Sequence, residues 1–141
     1  MTEWKNRIVG HGTKPANQFQ ANPNNFRTHP QSQRRAVKAS LDDLGWVNVV
    51  IENSLSGNLI DGHERVWNAL KQGEETEVPY IQVELSEAEE AQALLSLDPI
   101  AAMAGTEAAK MDELLKQVQT DNADMQEFLS GLAEENGLYF G

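Results

Sequence analysis

The segment Leu59-Ile60-Asp61-Gly62-His63-Glu64-Arg65-Val66 constrains this chain most, because the hydrophobic period changes inside it. Leu59-Ile60 reads as a short strand, whereas Val66, Ala69 and Leu70 share a helical face that stops at Gly73. A strand therefore feeds a helix through Asp-Gly, and the same switch recurs along the chain. Val37, Leu41 and Leu44 predict a helix over 31–44 with Gly45 as its left-handed cap. Trp46-Val47-Asn48-Val49-Val50-Ile51 predicts a strand and Asn53 to Gly57 a turn. Val78-Pro79-Tyr80-Ile81-Gln82-Val83 predicts another strand, with its proline near the start where a missing N–H does least harm. Ser86 and Glu89 form a capping-box signature for a helix over 86–97 that Pro99 ends. Two acidic amphipathic helices follow, one carrying Met111, Leu114, Leu115 and Val118, the other spanning 121–135 with Met125, Phe128, Leu129 and Leu132. Glycines and prolines break up the first thirty residues, where only Arg7-Ile8-Val9 and Gln18-Phe19-Gln20 suggest short strands. The expected fold class is α/β (α+β): a small mixed sheet with flanking helices and an acidic helical C-terminal extension. The expected divisions are an N-terminal arm over 1–15, a central domain over 16–100 and the helical extension over 101–141. The apolar tail Leu138-Tyr139-Phe140 suggests a domain cut from a longer chain or a tail that docks on something.

Composition narrows the chemistry. With 141 residues, 40% of them hydrophobic, the chain is sized for one domain, and zero cysteines exclude disulfide scaffolds, thiolate metal sites and thiol nucleophiles. No stretch approaches the roughly 18 apolar residues of a membrane span, so the expectation is a cytoplasmic protein with no membrane contact. The net charge of −11 is unevenly placed. Residues 1–71 hold nine Lys/Arg against six Asp/Glu, and residues 72–141 hold two against sixteen. A polyanion such as DNA, or a nucleotide, should therefore meet the N-terminal half.

The strand–Asp61-Gly62–helix junction is where chemistry is expected. A helix opening after glycine presents backbone N–H groups and a positive dipole end to a phosphate, and Arg65 can add a forked cation. Asp61 and Glu64 could hold a divalent cation, and His63 could serve as base or ligand. The plainer alternative is an ordinary turn, with Asp61 capping the helix and Arg65 paired to Glu64 or Glu90. Arg34, Arg35 and Lys38 form a basic cluster on the first helix, either a phosphate-contacting stripe or a solvated face. His11 and His29 lack ligand spacing and read as loop residues. Trp4, Trp46 and Trp67 read as packing residues rather than base-stacking platforms, and so do Met111 and Met125.

Asp61-Gly62-His63-Glu64-Arg65, with the strand before it and Glu77-Val78-Pro79-Tyr80-Ile81 after it, resembles the Gly-x-x-Arg box of the ParB/sulfiredoxin superfamily, specifically its ParB-like nuclease domain. Asn22-Pro23-Asn24-Asn25-Phe26-Arg27 resembles that family's Asn-Pro-x-Gln-Pro-Arg box, and the likeness covers about residues 16–100. It is closest to a phage and prophage subset often associated with DNA adenine methyltransferases. The resemblance implies Asp61, His63 and Glu64 as catalytic candidates and Arg27, Arg34, Gly62 and Arg65 as nucleotide- or phosphate-binding residues. It implies Asp61, Glu64 and Asp98 as metal ligands, with Mg²⁺ and CTP or ATP as cofactors. The partners implied are DNA or nucleotide, a methyltransferase or other phage protein, and a second copy in a homodimer, within a bacterial host cell. Metal-dependent nuclease or nucleoside triphosphatase activity stands beside a non-catalytic recognition or assembly role. The departures are His63 where sulfiredoxins carry cysteine, Glu64 where partition proteins carry a second arginine, Asn25-Phe26 for Gln-Pro, and Leu97-Asp98-Pro99 where an asparagine motif belongs. The segment over 100–136 is too acidic for a DNA-reading helix pair, and no Asp-Pro-Pro-Tyr methyltransferase motif occurs.

Overall fold

The computed structural model describes residues 3–28, 31–97 and 105–141, with backbone alone at 27, 28, 33, 105 and 106. Among the described residues two sheets and five α-helices alternate along the chain. The strands are β1 (Ile8–Pro15), β2 (Arg27–Thr28), β3 (Val50–Asn53), β4 (Leu59–Asp61), β5 (Glu77–Val83) and β6 (Gly105–Thr106). The helices are α1 (Gln31–Leu44), α2 (His63–Gln72), α3 (Glu87–Ser96), α4 (Ala108–Gln117) and α5 (Ala123–Glu135). The main sheet runs β1-β5-β3-β4, with β3 parallel to β5 and both outer pairings antiparallel, while β2 and β6 form a separate antiparallel ribbon.

The short strand expected at Arg7-Ile8-Val9 extends through Gly10 and Gly12 to Pro15 and is the longest of the sheet, paired along β5 from Ile8↔Val83 to Pro15↔Glu77. Gly10 and Gly12 look like breakers in sequence, yet they make room for the Gln82 and Tyr80 side chains. A Cβ would stand 3.1 Å from Gln82 Oε1 at the first and 3.3 Å from Tyr80 Oη at the second. The strand expected at Gln18-Phe19-Gln20 is a 3₁₀ turn over Ala16–Gln18, fixed by the Ala16 N–H on the Thr76 carbonyl at 2.8 Å; Gln20 keeps one isolated bridge to Asn58. β3 starts four residues later than the apolar run suggests and takes in Glu52 and Asn53. Both are buried because each finds partners. Lys14 Nζ meets both Glu52 oxygens at 2.9 Å and Gln82 donates to the first, while Asn53 Nδ2 donates to the Leu85 carbonyl and Glu90.

One apolar core lies between the sheet and α2, where Val66 and Ala69 join Ala16, Val50, Leu59 and Val78, with Trp46 and Tyr80 at its margin. The other joins α3, α4 and α5 around Leu94, Met111, Leu114 and Leu129, with Met125 at its edge. Phe26 enters this second core from the loop before β2, and Leu138 and Phe140 of the tail pack on it. Trp4, expected to pack, is 93% exposed. The capping box at Ser86 and Glu89 is present. The Glu89 carboxylate also takes Arg7 at 2.7 Å, and that ion pair, with the Ser86 N–H, lowers its pKa to about 2. No helix among the described residues is long and apolar enough to cross a membrane.

Candidate functional site

β4 passes into α2 through Gly62, whose φ of 97° lies in the left-handed region and whose missing Cβ is required: one built there would sit 2.5 Å from Val50 Cγ1. The glycine thus brings the first turn of α2 onto β3. No side chain caps the helix. Asp61, the expected cap, instead accepts from Arg65 Nη2 at 3.3 Å, and Arg65 Nη1 donates to the Val49 carbonyl at 3.1 Å. Arg65 is therefore a brace between α2 and the approach to β3, its partner being Asp61 rather than Glu64 or Glu90.

The first turn of α2 lines a cleft of about 430 Å³ walled by Phe19, Asn25, Arg34, His63, Glu64 and Trp67. Arg34 reaches it from α1 with its guanidinium carbon 4.3 Å from the centre of the Trp67 ring, and Lys71 Nζ stands 5.1 Å from the same centre. Arg34 Nε also stands 3.0 Å from Glu64 Oε1. Both atoms are buried and neither is aligned for a hydrogen bond, so the contact is an ion pair whose N–H still lacks an aligned acceptor. That unaligned donor, on a cation stacked against an aromatic ring, suits a phosphate oxygen once Glu64 yields. The rest of the basic cluster diverges: Lys38 pairs with Asp42 at 2.7 Å on the surface, and Arg35 is exposed.

His63 opens α2, and its Nε2 accepts the Asn22 backbone N–H at 3.1 Å. Asn22, 4% exposed, is held in turn by Nδ2 donation to the Leu59 carbonyl at 3.1 Å and to Glu90 Oε2 at 3.3 Å. The Asn22 to Phe26 box therefore spans both halves, with one end on the cleft and Phe26 in the helical core. The Phe26 carbonyl accepts the Glu107 N–H at 2.7 Å, which brings the start of α4 to the cleft edge. Sequence reading assigned Trp67 to the core and gave Asn22 and Glu90 no role of their own. The usable signal for Trp67 was its place one residue off the apolar stripe; for Arg34 beside Trp67 there was none, since α1 and α2 meet only in three dimensions.

Asp61 and Glu64 do not converge, because each faces a different arginine. Among the described residues no group of three His, Asp or Glu side chains could hold a metal ion. Neither carboxylate is placed to share an ion with the other. Asp98 and His29 lie outside the described residues, as does the Arg27 side chain. His11 sits on β1 opposite Ile81 and does not approach the cleft lining.

No family model matches the chain, and no curated protein does either. Solved structures do. A pNOB8-like ParB N-domain aligns over 97% of this chain and 52% of its own at 13% identity, with a TM-score of 0.57. A second structure of the pNOB8-like ParB N-domain aligns over 96% and 49% at 11% identity, with a TM-score of 0.55. A C-terminally truncated chromosome-partitioning protein ParB from Caulobacter crescentus, complexed with CTP-γ-S, aligns over 92% and 72% at 20% identity, with a TM-score of 0.49. The chain thus has a ParB-like fold, the mixed sheet with flanking helices that its sequence suggested. It spans about half the length of the pNOB8-like structures it matches.

Proposed function

We propose that this chain is a ParB-like domain that binds nucleotide or DNA phosphate in the cleft where β4 turns through Gly62 into α2. The observation that carries this reading is the Arg34 guanidinium stacked on Trp67 beside a helix start that no side chain caps. Backbone N–H groups and a pre-oriented cation are what a phosphate needs, and an aromatic ring offers a base a stacking face. Gly62 allows the close approach, Arg65 holds the turn in shape, and the Arg27 side chain would join from the Asn-Pro box. CTP and ATP are the nucleotides to try first, with Mg²⁺ carried on their phosphates.

Hydrolysis, as nuclease or nucleoside triphosphatase, would require Asp61 to leave Arg65 and Glu64 to leave Arg34 before either could hold an ion, with Asp98 as a third ligand and His63 as base. That both carboxylates are ion-paired favours the second reading: a non-catalytic module that recognises DNA or nucleotide for a methyltransferase or another phage DNA-processing partner in the host cytoplasm, alone or as a homodimer. Calorimetric titration with CTP, ATP and a duplex oligonucleotide, each with and without Mg²⁺ at two salt concentrations, tests the site. Heat that shrinks with salt in the parent and vanishes in Arg34→Ala is the expected result. Absence of heat for all three ligands would sink the reading, and release of product from any of them would restore the enzyme.

A further inference from the structure

Glu90 does not line the cleft, yet it is the most heavily bonded carboxylate among the described residues. Its Oε1 accepts from Asn53 Nδ2 at 2.9 Å and from Ser56 Oγ, and its Oε2 accepts from Asn22 Nδ2 and Asn58 Nδ2, both at 3.3 Å. The four donors are uncharged and come from the Asn-Pro box, the end of β3 and the β3–β4 turn. Asn22 carries the connection onward. Its side chain is fixed by Glu90 and the Leu59 carbonyl, its Oδ1 accepts the Asn24 N–H at 3.0 Å, and its own N–H reaches His63 Nε2. A ring nitrogen that accepts carries no hydrogen, so the imidazole proton sits on Nδ1.

We propose that Glu90 is the positioning residue of the cleft: acting through Asn22, it holds His63 as the Nδ1–H tautomer. His63 Nε2, already engaged by the Asn22 N–H, is then an oriented acceptor and not a base for an incoming ligand. The same carboxylate fixes the Asn22 to Asn25 wall, so the width of the cleft depends on a residue of α3 outside its lining. The functional part of this inference rests on the phosphate-site reading above; the tautomer itself does not.

Glu90→Gln tests it with little change of shape. The glutamine oxygen can still serve Asn53 and Ser56, but its amide hydrogens then face the donors of Asn22 and Asn58. Imidazole ¹⁵N spectra at about pH 8, where an ordinary histidine is neutral, report the tautomer directly, with His11 as internal reference. The parent should show His63 Nε2 as the bare nitrogen and Nδ1 as the protonated one. In Glu90→Gln the two signals should move toward each other as the tautomers mix, and CTP affinity should fall by about tenfold, as when the partner that orients a ligating histidine is lost. Glu89→Gln, which loses the Arg7 ion pair on the same helix, should leave both His63 signals in place. Where Glu90→Gln does not fold, Asn22→Ala decides by the same signals, since it removes all three side-chain bonds and keeps the backbone N–H. Unmoved His63 signals in a folded variant overturn the proposal. Moved signals in a protein whose parent binds neither CTP nor oligonucleotide would uphold the positioning and reject the phosphate site.

Discussion

The two cores of this chain bury their side chains on opposite terms. Around α3, α4 and α5 the buried interior is leucine, methionine, alanine and one phenylalanine, held by the apolar area it removes from water. The sheet half buries Asn22, Glu52, Asn53 and Asn68 as well, and Glu90 turns from α3 toward that half. Buried polar groups are tolerated only when satisfied, so they fix geometry where an apolar core would allow repacking. The cleft opens in the half that is built this way.

The sharpest way to break the comparison is Lys14→Met. It leaves the Glu52 carboxylate, 4% exposed, with Gln82 alone, and should cost about 3–5 kcal/mol by urea denaturation. A loss below 1 kcal/mol would mean that the sheet half is no more demanding than the helical one. Leu114→Ala, the matched cut in the other core, should cost about 2–5 kcal/mol while leaving ligand affinity unchanged in the folded fraction. A loss of affinity there would show the two halves to be one cooperative site.

Between the two arginines the contrast is finer. Arg65→Ala removes two charge-assisted bonds and should cost about 1–3 kcal/mol, with the affinity loss following the loss of structure. Arg34→Ala, removing a side chain that is 37% exposed, should cost no more stability than Arg65→Ala but weaken CTP or oligonucleotide binding by tenfold or more. Reversal of that pattern would make Arg65 the phosphate ligand and Arg34 the brace. The smallest effect is in pH. The Glu89 carboxylate has its pKa lowered from 4.5 to about 2 in the folded chain, so its contribution is complete above 4.5 and is lost as pH falls toward 2. Because the pair with Arg7 is well exposed, the loss should be modest, weakened by salt and absent in Arg7→Ala, read as melting temperature across an acid series.

Local patterns that need no distant partner were readable in the chain as written. The capping box at Ser86 and Glu89, the glycine junction before α2 and the leucine stripes of α4 and α5 each carry their own cause within a few residues. Only the start of β1 is legible, because Gly10 and Gly12 signal a break locally and only Tyr80 and Gln82 across the strand explain them. β3 was placed too early because Glu52 and Asn53 look like surface residues until Lys14 and Leu85 are beside them. At the site, Gly62 was identified by its neighbours in sequence, whereas the roles of the two arginines were not.

What the sequence by itself determined is therefore the class of fold and the strand–glycine–helix junction on which the proposed site is built. Period, caps and glycines act over a turn or two of chain, and the charge asymmetry is a count. Which arginine braces and which faces the cleft, and that Glu90 reaches His63 through Asn22, were decided only by tertiary structure. The Arg34, Asn22 and Glu90 contacts join residues 30 to 68 positions apart, and the strength of a hydrogen bond or ion pair depends on a distance and a burial that no local pattern encodes.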